Sequence, residues 1–180
     1  MDLEAALIVP CPEAEAAVGE HRRRLDRAAA VGVPAHLTVL YPFMTDLDDT
    51  DHQRLATLFG SFEPFDVRGD RTGWFGDDVL FVAPADPGPV TALTGACQEL
   101  FPECPIYGGA FTEVVPHLTV GHGQPLPALR AAERAVSSRL PFSQRVSHVE
   151  LWTGPALATA PDGSWRCLRA YRLGKGYRGA

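Results

Sequence analysis

The sequence is short of several things, and each shortage removes a class of protein. No apolar run approaches the roughly 20 residues that cross a bilayer as a helix, so no membrane span is expected. The four cysteines, Cys11, Cys97, Cys104 and Cys167, form no C-x-x-C pair. Reduced packing residues are expected, not disulfides or zinc ligands. There is no HExxH, no cluster of His and Asp ligands and no glycine-rich phosphate loop. Metal-site and P-loop chemistries thus have no support, and no metal or cofactor is expected. Positive charge is short too: 16 Lys and Arg face 22 Asp and Glu, a formal net charge of -6. An acidic surface repels a polyanion at long range. This argues against an extended nucleic-acid surface, but not against a small nucleotide or an RNA end in a local pocket. Met1-Asp2-Leu3-Glu4 lacks the basic start of a signal peptide, so a cytoplasmic address is expected.

What is present suits a globular chain: 46% hydrophobic and 21% charged over 180 residues. No linker separates independent domains, and a monomer is the default. Strands are expected at Leu7-Ile8-Val9, from His36 to Tyr41, from Phe65 to Trp74 and from Val79 to Ala83. Further strands are expected from His117 to Gly121, from Phe142 to Trp152 and from Trp165 to Leu173. Helices are expected from Pro12 to about Ala30, from Asp48 to Phe59 with Thr45 or Asp46 near its start, from Val90 to Leu100 and from Leu126 to Leu140.

The order repeats. Leu7-Ile8-Val9-Pro10 resembles Phe81-Val82-Ala83-Pro84, and each precedes a helix leading to His-Leu-Thr-Val, at 36–39 and 117–120. A helix and a Pro-Phe pair follow each time (Pro64-Phe65, Pro141-Phe142), and then a tryptophan, Trp74 or Trp152. Counted on Pro10, His36, Pro64 and Trp74, the offsets are 74, 81, 77 and 78 residues. Such constant spacing implies an internal duplication, about 1–76 and 77–155 plus a C-terminal strand, within one bilobal domain over 1–180.

Side chains alternate along a strand. His36 and Thr38 share one face, with Leu37 and Val39 on the other; His117 and Thr119 share a face opposite Leu118 and Val120. Aliphatic sides belong against helices, whereas polar sides are costly to bury without partners. Two such strands around a pseudo-two-fold axis would aim two histidines and two threonines into one cleft. Histidine titrates near neutrality, so one can act as base and the other as acid. The threonine hydroxyls can donate to non-bridging phosphate oxygens. For a lone histidine, a satisfied structural role would be the better reading; the matched pair favours catalysis.

These two H-x-T-x motifs resemble the signature of the 2H phosphoesterases, also described as the 2'-5' RNA ligase or cyclic phosphodiesterase superfamily. The extended run His-Leu-Thr-Val-Leu-Tyr-Pro-Phe (36–43) and Pro116 before the second motif resemble a bacterial 2'-5' RNA ligase-like branch. The resemblance implies a bilobal α+β fold, two mainly antiparallel sheets around a central cleft with helices outside. It implies metal-independent chemistry at 2',3'-cyclic phosphates, 2'-5' bonds or other small or RNA-end phosphodiesters. His36, Thr38, His117 and Thr119 carry it over, with no assignment of acid and base. A 2'-5' RNA ligase and a non-catalytic nucleotide-binding module are the alternatives.

Other residues are weaker candidates. Phe43, Trp74, Phe75, Tyr107 and Trp152 are placed where a cleft rim would lie, and Arg169 is a candidate phosphate contact. Alternation puts Tyr41 opposite His36 and His122 opposite His117. His21 and His52 are expected on solvated helix faces and His148 in mid-strand. Arg22-Arg23-Arg24 reads as a solvated helix face; the set Arg166, Arg169, Arg172, Lys175 and Arg178 stays open. The loop from Pro102 to Pro116, with Gly108-Gly109, could gate the cleft.

Overall fold

Five successive buried residues, Ala5 to Val9, open the chain, and such a run suits a strand covered on both faces. The computed structural model, which describes residues 2–110 and 113–174, places it in β1 (Leu3–Pro10). The elements that follow are α1 (Glu15–Leu25), α2 (Arg27–Ala30), β2 (His36–Phe43), α3 (Asp49–Gly60), β3 (Phe65–Phe75), β4 (Val79–Pro84) and α4 (Gly88–Leu100). Then come β5 (Leu118–His122), α5 (Leu126–Ser137), β6 (Phe142–Val146), β7 (His148–Pro155) and β8 (Arg166–Arg172).

Two four-stranded antiparallel sheets result, ordered β2-β1-β7-β8 and β5-β4-β3-β6. The α+β architecture is the one expected. Each half of the chain serves both sheets: β3 leaves the first half to pair with β4, and β7 leaves the second half to pair with β1. Helices exchange similarly. α1 follows β1 but packs on β5, and α4 follows β4 but packs on β2. One core therefore spans both lobes, from Leu7, Val9 and Phe59 to Leu80, Leu118 and Leu129.

Several expected boundaries move for identifiable reasons. The helix from Pro12 is broken at Asp26, whose backbone turns extended (φ -125°, ψ 119°) and whose side chain caps α2 through the Ala28 N–H. Asp48, not Thr45 or Asp46, caps α3, in a reciprocal box with Asp51. The strand expected from Phe142 to Trp152 is two strands in different sheets, divided at Ser147. Leu126–Ser137 ends short of Leu140, before the cis Leu140–Pro141 bond. Lys175 and Arg178 lie outside the described residues. No described helix is long and apolar enough to cross a membrane.

Candidate active site

Alternation fails at the same place in both histidine strands. In β2, Leu7 pairs with Leu40 but Ile8 pairs with Thr38. In β5, Leu80 pairs with Gly121 but Phe81 pairs with Thr119. Each His-Leu-Thr-Val strand therefore carries an extra residue, a β-bulge, directly after the motif, and β2 carries a second one before Phe43, which pairs with Ala5. Two consecutive residues turn inward there, Val39 with Leu40 and Val120 with Gly121, all buried. Gly121 is required because a Cβ would sit 2.6 Å from Leu129 Cδ2 and 2.9 Å from Leu25 Cβ.

The bulges overturn two expectations drawn from strict alternation. Tyr41 returns to the His36 face, packed with Ala6 and Ile8, and its hydroxyl donates to Glu4 Oε2 at 2.7 Å. His122 returns to the His117 face opposite Val79, with Nε2 3.1 Å from Asp78 Oδ2.

The two histidines are held alike. His36 Nδ1 lies 2.7 Å from the Pro34 carbonyl oxygen, and His117 Nδ1 lies 2.7 Å from that of Val115. A carbonyl only accepts, so Nδ1 carries the hydrogen in each ring and Nε2 is left to exchange protons. Both imidazoles titrate below the ordinary histidine value. For His36 burial is the largest cause, reinforced by the Arg22 guanidinium and opposed by the Pro34 hydrogen bond and by Asp26, and it is lowered to about 4. For His117 burial again dominates, opposed by the Val115 carbonyl and aided by His122.

The two motifs converge. β2 approaches β5, and the charge of His117 acts on His36. Tyr107 lies between them: its hydroxyl hydrogen-bonds Thr38, and its ring centroid is 6.3 Å from that of His117. Tyr107 is the one described non-glycine residue with positive φ (49°), the left-handed region that side chains disfavour. Phe75 and Phe81 complete the wall, 4.9 and 5.6 Å from the His117 ring.

Of the weaker candidates, Phe75 and Tyr107 are brought to the histidines. Phe43 is a core residue, 5% exposed and edge-on to Phe101. Trp74 lies on the helix side of its sheet: its indole N–H donates to Glu133 Oε1 at 2.7 Å, and Arg130 covers its ring. Trp152 shares a sheet face with Ile8, packs like Tyr41 against the cluster of Ala6 and Ile8, and donates to Glu150. It lines a groove of about 440 Å3 with Pro10, Pro34 and His148. Arg169 is exposed on β8, three strands from β2, about 14 Å at the usual spacing. His52 is not solvated but shares a 2.7 Å hydrogen bond with the Tyr171 hydroxyl. Arg22 is 2% exposed, not a solvated face. The signal for it was the Asp four residues on, an (i, i+4) pair. Among the described residues no three His, Cys, Asp or Glu side chains group as a metal site.

Solved structures share this architecture. The structure of TT0787 from Thermus thermophilus aligns with TM-score 0.62 and 22% identity over 98% of this chain and 100% of its own. A structure described as a phosphoesterase gives 0.60 and 18%, over 96% and 99%. E. coli LigT complexed with NADP+ gives 0.58 and 17%, over 95% and 97%. At these identities the likeness establishes the fold. A search of curated protein sequences gave no match. The model of the 2'-5' RNA ligase superfamily matches residues 10–155. With that match over most of its length, and a fold shared with LigT and a phosphoesterase, the chain belongs to the 2'-5' RNA ligase superfamily of 2H phosphoesterases.

Proposed function

We propose that the protein is a metal-independent phosphodiesterase that opens a 2',3'-cyclic phosphate, on a small nucleotide or an RNA end, by paired acid/base catalysis from His36 and His117. The observation that carries this reading is the matched pair of Nδ1–carbonyl hydrogen bonds, which leaves the Nε2 of each ring to exchange protons. One neutral imidazole takes a proton from the attacking water. The other, protonated, gives one to the leaving ribose oxygen. Thr38 and Thr119 donate to the non-bridging oxygens, where charge grows in the transition state. Phe75 and Tyr107 supply aromatic surface beside His117. E. coli LigT has been crystallised with 3'-AMP, ATP and NADP+, which supports a nucleotide as the substrate class. The acidic surface favours a small or terminal phosphodiester over a long duplex.

The test is hydrolysis of 2',3'-cyclic nucleotides and of an oligonucleotide ending in a cyclic phosphate, in EDTA, with the product isomer identified. Ring opening to a single isomer supports the reading and shows which oxygen leaves. Joining of RNA ends without hydrolysis would favour the ligase direction. A cyclic nucleotide held for hours without turnover would favour a binding module.

A further inference from the structure

Among the described residues three polar or charged side chains are buried, Arg22, Asp26 and Thr94. Arg22 and Asp26 answer each other across 2.8 Å. Thr94 lies on α4, among the inward residues Val90, Leu93 and Cys97. A valine has nearly the same shape and would bury no hydroxyl, so packing alone does not ask for threonine there. A helical threonine commonly turns its hydroxyl back to a carbonyl of the preceding turn. Thr91 on the same helix does so, bonding the Pro87 carbonyl oxygen at 3.0 Å. Thr94 reaches off the helix instead: its hydroxyl donates to the Val39 carbonyl oxygen in β2 at 2.8 Å.

Val39 is the extra residue of the bulge that follows the first motif. Thr38 is opposite Ile8 and Leu40 is opposite Leu7, so Val39 has no partner of its own in β1. β2 is also the outer strand of its sheet. A bulged residue drops out of the ladder, and a buried carbonyl left without a partner costs free energy. Thr94 supplies the partner, on the residue directly after Thr38. It thereby fixes the point at which alternation breaks, where Val39 and Leu40 both enter the core. In β5 the same step is taken at Val120 and Gly121, where Leu25 and Leu129 leave no room for a Cβ on the glycine. One bulge is set by shape, the other by a hydrogen bond from a helix.

We propose that Thr94 is a positioning residue for the active site: through the Val39 carbonyl it locks the bulge that holds Thr38 in place to donate to the phosphate. The inference rests on the phosphodiesterase reading above. Thr94 does not touch the substrate and acts through Thr38. Charge on the non-bridging oxygens grows in the transition state, and a donor aimed there beforehand needs no reorganisation during the reaction. Loosening Thr38 removes part of that benefit, so the loss falls on kcat and not on KM.

A double-mutant cycle tests this. Thr94→Val keeps the shape and removes the hydroxyl; kcat on a 2',3'-cyclic nucleotide is expected to fall about tenfold, with KM within about twofold. Thr94→Ser, which keeps the hydroxyl, restores most of the rate. In a Thr38→Val background the same Thr94→Val change costs less than about twofold, because the residue it acts through is gone. An undiminished cost in that background, or Thr94→Ser as slow as Thr94→Val, overturns the proposal. Thr94→Cys, similar in size and a weaker donor, takes the place of Thr94→Val in the cycle if that variant does not fold. Amide hydrogen exchange, followed by NMR, reads the lock without substrate. Thr94→Val speeds exchange of the Leu40 N–H, which shares a peptide with the Val39 carbonyl, at least about tenfold more than that of the Gly121 N–H in β5. An equal rise in both strands, or none in either, overturns the local role. Absence of wild-type turnover on every phosphodiester, with the Leu40 effect present, defeats the phosphodiesterase reading and leaves the lock on the bulge standing.

Discussion

The rings of Phe75 and His117 lie edge to face, with centroids 4.9 Å apart. Phe75 is opposite Val79 in β3–β4, on the same face as Phe81 and Thr119. Its neighbour Trp74 points the other way, into α5. Adjacent aromatics thus have separate duties. Phe75→Ala is expected to lower kcat/KM about tenfold, the scale of one aromatic contact. Trp74→Phe is expected to leave kcat/KM within about twofold and to cost about 1 kcal/mol of stability through the lost hydrogen bond to Glu133. Steady-state kinetics and thermal unfolding of both variants separate the two.

Tyr107 joins the lobes from a loop that follows α4. Tyr107→Phe keeps the ring beside His117 and removes the hydroxyl that meets Thr38. A loss of about tenfold in kcat/KM is expected, with a stability cost of only about 1 kcal/mol from the lost hydrogen bond, read by thermal unfolding. An unaltered rate would remove Tyr107 from the site.

How much of this was legible is best judged at the two motifs. His36, Thr38, His117 and Thr119 could be read from their repetition, since strand alternation holds through those four residues. It fails one step later. A β-bulge moves the next side chains to the other face, until in β2 a second irregularity returns Phe43 to the core, and no residue type in Val39-Leu40 or Val120-Gly121 announces a bulge beyond the glycine. Tyr41 and His122 were misplaced for that reason. The overlay of Leu7–Pro10 on Phe81–Pro84 was off by one as well. Ile8 and Phe81 are the residues that pair with Thr38 and Thr119, an offset of 73. In that register Trp152, opposite Ala6, answers to Phe75, opposite Val79, and not to Trp74. Tyr107 was legible only as part of a loop, because a left-handed backbone is not specified by a tyrosine.

Acid should weaken the fold through His36. Its folded value is lowered to about 4, chiefly by burial, against 6.5 for an unperturbed histidine. Between those values the unfolded chain binds the proton and the folded chain does not, so stability falls as pH drops through this window. The slope from one proton is at most about 1.4 kcal/mol per pH unit. Denaturant unfolding from pH 7 to 4 checks this. His36→Gln is expected to show a shallower fall than wild type, and an equal slope would show that other groups carry the acid sensitivity.

Gly121 lets α1, α5 and β5 meet. Gly121→Val places carbon against Leu129 and Leu25. A destabilisation of about 1–3 kcal/mol is expected, the usual cost of overpacking, with the His117 strand displaced. Thermal unfolding together with activity reads both effects. A variant as stable as wild type would mean that the helices yield easily.

The paired-histidine account is tested most directly by turnover of a 2',3'-cyclic nucleotide in EDTA by wild type, His36→Ala, His117→Ala and the double variant. Each single change is expected to lower kcat by about 10²–10⁴, and the double by little more than either, because acid and base act in one concerted transfer. Full activity in either single variant, with the protein folded, would contradict the account.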